Sequence, residues 1–250
     1  MLFRSIDLAA CARRGIPVGN TPGVLTEATA DIAFALLMAA ARRLPEGHDF
    51  VREDRWTTWG PLLLLGKDVA GATLGIVGFG RIGQAMARRA RGFGMRVLYH
   101  SRHRASPEAE AATGAEMVPF ETLLASSDFV SIHTDLNPST RGLFGREAFA
   151  RMKPGAILVN TSRGPVVDQV ALHDALTSGS LFAAALDVTD PEPLRADHPL
   201  VGLPNCLIVP HIASATERTR DAMATKAANN LVAGVRGQPL PDPVPLPAAG

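Results

Sequence analysis

The sequence predicts an α/β protein built on a doubly wound parallel sheet. Three observations carry that prediction. Short apolar runs alternate with helical patterns from about residue 73 to residue 209. The runs are apolar throughout, as strands covered on both faces are. A glycine-rich turn joins the first run to the first helical stretch.

The elements follow in order. Residues 7–15 read as an amphipathic helix with Asp7 as N-cap and Gly15 as stop. Residues 26–43 read as a long helix, with Ile32, Leu36 and Ala40 on one face and Ala33, Leu37 and Ala41 beside them. The Leu62–Leu65 run reads as a buried strap or an interface. Strands are predicted at 73–77, 95–99, 115–118, 129–132, 156–160, 182–186 and 207–209. Between them, 81–92 carries Ile82, Ala85, Met86 and Arg89 at helical spacing, Pro119 opens a further helix, and 168–178 forms another. Residues 216–236 form a long helix stopped by Gly237. The tail 239–247 alternates proline and is expected to be extended, without a helix or a sheet ladder.

Composition narrows the function. The 250 residues suffice for one large domain or two small ones. Lys and Arg number 25 against 24 Asp and Glu, a net charge of +1 that argues against a nucleic-acid partner. The basic side is nearly all Arg, with Lys only at 67, 153 and 226, a compositional bias. Cys11 and Cys206 cannot build a disulfide framework, and no Cys/His cluster has metal-ligand spacing, so no metal is expected. The most apolar stretch, residues 33–41, is shorter than the roughly 20 residues a bilayer needs. No signal segment is read, so no membrane association is expected and a cytoplasmic location is.

Gly78, Gly80 and Gly83 form G-x-G-x-x-G between a strand and a helix. The first allows a tight turn, the second lets the backbone approach a pyrophosphate, and the third lets helix and strand pack closely. The helix N-terminus then offers N–H groups to the phosphates. An NAD site carries an acid at the end of its second strand. Here that end reads Val97-Leu98-Tyr99-His100-Ser101-Arg102-His103-Arg104. Ser101, Arg102 and Arg104 suit a 2′-phosphate, and His103 lies within reach of it, so NADP is expected over NAD.

Three later segments put polar residues just after strands, where open α/β sheets place their sites. They are Asn160-Thr161-Ser162-Arg163-Gly164, Asp187-Val188-Thr189-Asp190-Pro191-Glu192-Pro193 and Pro210-His211-Ile212-Ala213-Ser214. Arg163 can hold a carboxylate and polarise a carbonyl. His211 can act as general acid and, in reverse, general base, with Glu192 beside it to stabilise the imidazolium. His48, His173 and His198 read as ordinary surface or loop residues, and His133 as a hydrogen-bonded structural histidine.

These segments, in this order and spacing, resemble the D-isomer-specific 2-hydroxyacid dehydrogenase family, whose fold is a Rossmann domain with a flavodoxin-like substrate domain. Within it the chain is most similar to the glyoxylate/hydroxypyruvate reductases. Further segments carrying the resemblance are Asn20-Thr21-Pro22-Gly23-Val24-Leu25-Thr26, Trp56-Thr57-Thr58-Trp59-Gly60-Pro61 and Ala228-Asn229-Asn230-Leu231. The resemblance implies Arg163, Glu192 and His211 as catalytic residues, with Ser214 at the substrate. It places Gly80, Arg81 and Ile82 at the pyrophosphate, residues 102–104 at the 2′-phosphate, Asp135 and Thr161 along the cofactor, and Asp187 at the nicotinamide carboxamide. Trp59 is similar to a tryptophan that reaches into the other subunit's site, and helix 26–43 to the helix through which the family forms homodimers.

The same resemblance implies a substrate-domain remnant at residues 1–22, a dinucleotide-binding domain at 23–212, a returning helix at 213–238 and a Pro-rich tail at 239–250. It also implies that the loop binding the substrate carboxylate falls where Met1-Leu2-Phe3-Arg4 stand, so that this loop and most of the substrate-domain sheet are expected to be missing from this sequence. The implied activity is NADPH-dependent reduction of glyoxylate or hydroxypyruvate to the D-2-hydroxy acid. Two alternatives stay open: a dinucleotide-binding protein of little or no activity, and a dehydrogenase acting on phosphoglycerate or D-lactate.

Overall fold

The computed structural model describes residues 6–247. The expectation about Met1-Leu2-Phe3-Arg4 lies outside the described residues. The chain divides into two compact units, one from Thr29 to Ala213 and one formed by the segments before and after it.

The larger unit holds a seven-stranded sheet: β1 (Thr73–Val77), β2 (Arg96–His100), β3 (Ala115–Met117), β4 (Phe129–Ile132), β5 (Ala156–Asn160), β6 (Leu181–Leu186) and β7 (Cys206–Ile208). The order is β3-β2-β1-β4-β5-β6-β7 and every pairing is parallel. The order reverses between β1 and β4, the point at which such sheets bind ligands. Alternate side chains feed two cores. Ile76, Tyr99, Ile157 and Val159 pack with Phe34 and Leu37 of α2 (Thr26–Ala41) and Met86 and Ala90 of α4 (Arg81–Gly92). Ile132, Leu158 and Leu186 pack with Leu123 of α6 (Phe120–Ser126), Phe149 of α7 (Arg146–Arg151) and Leu172 of α8 (Gln169–Thr177). Burial on both faces explains why the strands read as unbroken apolar runs.

The helix expected at 26–43 stops at Ala41, whose carbonyl accepts the Lys67 N–H at 2.8 Å. Arg43 then turns left-handed (φ 50°) and holds Glu46 with its guanidinium at the start of α3 (Leu44–Arg52). Of the two readings of the leucine run, the buried strap is not what the structure shows: Leu62, Leu63 and Leu65 are exposed, as an interface would leave them in a single chain, and so is Trp59 at 77%. That stretch lies in irregular backbone, with neither a helix nor a strand to press it onto a core.

The smaller unit contains α1 (Leu8–Arg13), capped by Asp7 accepting the Ala10 N–H at 2.8 Å, and α9 (Glu217–Val235), capped by Thr216. The proline-rich tail is extended, with neither helix nor strand, and it is also pinned. Prolines at 241, 243 and 245 leave the N–H groups of Asp242 and Val244. Val244 donates to the Val18 carbonyl at 2.7 Å, and Asp242 donates to the Asn230 side chain at 3.0 Å. Asn230 is buried and donates to the carbonyls of Asn20 and Lys226, while Lys226 Nζ reaches Asp242 at 2.8 Å. A Cβ on Gly19 would come within 2.7 Å of Asn230, so the two segments meet only because position 19 is glycine.

Candidate active site

β1 delivers the chain into Gly78 at φ 92°, a conformation glycine adopts freely. A Cβ there would meet Thr134 N at 2.6 Å, so β1 and β4 approach as closely as backbones can. Gly83 lies against the same turn, since its Cβ would come within 2.3 Å of the Gly78 carbonyl oxygen. Gly80 differs: nothing lies within 4 Å of where its Cβ would be. It caps α4, whose first turn, opened by exposed Arg81 and half-buried Ile82, presents N–H groups to that open space. The cradle therefore fits a pyrophosphate. Thr161 adds to the fit, because its buried Oγ1 has no hydrogen-bond partner among the described residues.

The loop after β2 carries the expected phosphate residues. Ser101 is half-buried and Arg102 and His103 are exposed. Arg102 lies 3.8 Å from the Asp135 carboxylate, which follows β4. Arg104 is engaged by a carboxylate six residues on. Its guanidinium donates to both oxygens of Glu110, at 3.0 and 2.9 Å, because α5 (Pro107–Thr113) turns that carboxylate back under the loop.

Arg163, Glu192 and His211 follow β5, β6 and β7, three neighbouring strands. Asn160 at the end of β5 shapes the first loop. Its Oδ1 accepts the Ser162 N–H and hydroxyl, both at 2.9 Å, and its Nδ2 donates to the Arg163 carbonyl. Arg163 Nη1 also donates to the Ser162 carbonyl. Gly164 seats that loop against the next one, since a Cβ there would overlap the Thr189 carbonyl. His211 adopts φ 51° and its Nδ1 lies 2.5 Å from Glu192 Oε1. With the carboxylate accepting, Nδ1 carries a proton.

Asp187 holds this histidine loop in place. Its backbone carbonyl accepts the His211 N–H, and its buried carboxylate accepts those of Ile212 at 2.7 Å and Ala213 at 3.0 Å. Burial raises its carboxyl above the ordinary range against the pull of these donors and of His211. Sequence reasoning misses this anchoring role, like that of Asn160. The signal that could have found both is a polar residue closing an otherwise apolar strand.

His133 sits beneath the glycine turn, 2.8 Å from Ser131 Oγ, and burial pushes its imidazole down to about 4. Ser214 opens the C-terminal segment of the smaller unit, its carbonyl accepting the Thr216 N–H. Cys206 is buried on β7 with its thiol pushed up to about 12, so it is no nucleophile at neutral pH. A groove of about 840 Å³ beside α3 and β7 contains none of the predicted site residues. Among the described residues no His, Cys, Asp or Glu group could hold a metal ion, and no helix is long and apolar enough to cross a membrane.

A glycine turn at the switch point of a 3-2-1-4 sheet, with polar loops gathered at one edge, defines a dinucleotide-dependent oxidoreductase of the Rossmann type. Residues 34–213 match the NAD binding domain of D-isomer specific 2-hydroxyacid dehydrogenase, and the chain belongs to that family. It is 54% identical over 241 residues to a glyoxylate reductase of Korarchaeum cryptofilum, covering 96% of this chain and 72% of that one. It is 49% identical over 234 residues to the human glyoxylate reductase/hydroxypyruvate reductase, covering 94% of this chain and 71% of that one. The crystal structure of a Thermus thermophilus protein, TT0316, superposes with a TM-score of 0.90 at 53% identity, covering 96% of this chain and 75% of that one.

Proposed function

We propose that the chain reduces a small 2-oxo acid, glyoxylate or hydroxypyruvate, to the D-2-hydroxy acid with NADPH. The observation carrying this reading is the 2.5 Å pairing of His211 with Glu192, in loops that follow the C-terminal ends of β6 and β7, the same end of the parallel sheet at which the glycine turn follows β1. When bound, NADPH would supply the hydride that the carbonyl carbon takes. His211, protonated on both ring nitrogens and oriented through Nδ1 by Glu192, gives its Nε2 proton to the carbonyl oxygen as charge develops there and is left as the neutral Nδ1–H imidazole. Arg163 holds the substrate carboxylate and polarises the carbonyl. Ser214 lies at the substrate, and Asp187 takes the carboxamide with the lone pairs its two backbone donors leave. Gly78, Gly80, Arg81, Ile82, Gly83 and Thr161 hold the dinucleotide, Asp135 lines it, and Ser101 and Arg102 take the 2′-phosphate.

The smaller unit is read as part of a flavodoxin-like substrate domain. The protein acts as a homodimer through helix 26–43, with exposed Trp59 of one copy reaching the site of the other. Two free cysteines suit a reducing cytoplasm.

The test is loss of NADPH absorbance with glyoxylate, hydroxypyruvate and pyruvate, repeated with NADH. Turnover fastest with glyoxylate or hydroxypyruvate and NADPH is the expected result. Turnover confined to pyruvate, or equal with NADH, would refute the substrate or the cofactor assignment respectively.

A further inference from the structure

We infer that Tyr99 and Glu110 are positioning residues that set the preference for a 2′-phosphate, by locking the loop that carries Ser101 and Arg102. This rests on the reading of the cofactor as NADPH. Tyr99 is fully buried on β2, and its ring stacks on Phe79, between Gly78 and Gly80 of the pyrophosphate turn, at 4.0 Å and 19°. Its hydroxyl donates to Glu110 Oε1 at 2.6 Å and accepts the Ala105 N–H at 2.9 Å. Glu110 binds both arms of Arg104. The far end of the loop is thus fastened at Arg104 and Ala105, and the fastening continues through one ring to the turn at the pyrophosphate.

Chemistry assigns the parts. A guanidinium engaged bidentately by a carboxylate has its fork filled. Arg104 therefore anchors the loop, and Arg102 is left as the arginine for the phosphate. The buried phenol has both its donor and its acceptor used, and a carboxylate that accepts from a phenol and a guanidinium together has little freedom to move. Both ends of the adenosine site share one rigid support.

The experiment is titration of the chain with NADPH and with NADH, followed by nucleotide fluorescence, for wild type, Glu110→Gln and Tyr99→Phe. Glu110→Gln discriminates by sign. If Arg104 were itself a phosphate ligand, removing its carboxylate partner would free it and tighten NADPH. Under the present assignment the loop loosens, and NADPH weakens about five- to tenfold while NADH changes less than about twofold. Tyr99→Phe keeps the ring on Phe79 and removes only the hydroxyl, with the same loss of NADPH preference expected. Tighter or unchanged NADPH binding in Glu110→Gln, or equal weakening of both nucleotides in both variants, would overturn the inference. A wild type with one affinity for both nucleotides would refute the cofactor reading itself and this inference with it.

Discussion

Replacing Gly80 and Gly83 separately by alanine should split stability from cofactor binding. At Gly83 the new methyl would lie 2.3 Å from the Gly78 carbonyl oxygen and 3.1 Å from Ile76 Cγ2. Backbone must move, at the upper end of the cost of overpacking, about 3 kcal/mol. Gly83 is inside α4, so alanine returns about 1 kcal/mol of helix propensity. The net is about 2 kcal/mol, or about 4–8 °C in Tm for a chain of this size. At Gly80 nothing lies within 4 Å, and φ −75° with ψ −164° is backbone that alanine adopts. There, losing glycine as N-cap and restricting the unfolded chain offset each other to within about 0.5 kcal/mol. Yet that open space is where the proposed site puts the pyrophosphate, so on that placement the methyl should weaken NADPH about 5- to 150-fold. Thermal melting by circular dichroism and NADPH fluorescence titration read the two effects. Wild-type affinity in Gly80→Ala, or a melting loss there matching that of Gly83→Ala, would refute the placement of the phosphate.

Two further outcomes follow from buried polar groups. His133 is held neutral, its folded value near 4 against about 6.5 in the unfolded chain, so the unfolded state binds the proton more readily between those values. Its contribution is complete above pH 6.5 and is lost as pH falls to about 4, at most about 3 kcal/mol; urea midpoints across this range should fall less in His133→Gln, and identical pH profiles would contradict this. Asn230 satisfies three backbone groups, so Asn230→Ala should destabilise the smaller unit by about 1–3 kcal/mol and speed proteolysis after residue 237; an unchanged cleavage rate would show that the tail is held by other means.

Much of the sheet is legible in the sequence because strands buried on both faces leave apolar runs with no competing periodicity; all seven appear within a residue of their expected ends. The cap at Asp7 is legible because it is local, and the helices read from 168 and 216 begin at residues that prove to be their caps, Asp168 and Thr216. Helices α3, α5 and α7 are not, being nine residues or fewer and lacking an apolar stripe long enough to declare a period. The tail is extended as its prolines imply, but its anchoring is not legible: the residues between the prolines keep their donors, and only the fold shows that Val18 and Asn230 use these. Arg104 shows the limit at the site. Its charge suits a phosphate, and only the turn into α5, which brings Glu110 beneath it, shows the carboxylate it pairs with in this structure. The Arg163, Glu192 and His211 segments are readable by strand-end position, whereas the Asp187 anchor depends on a three-dimensional return of the chain.

The most direct measurement of the central claim is kcat for NADPH-dependent glyoxylate reduction in wild type and His211→Gln, with the NADPH dissociation constant taken on the same samples. A histidine that donates the proton predicts a fall in kcat of about 10²- to 10⁴-fold with nucleotide affinity kept within about twofold. A kcat that survives the substitution, or that falls only in step with lost NADPH binding, would contradict it.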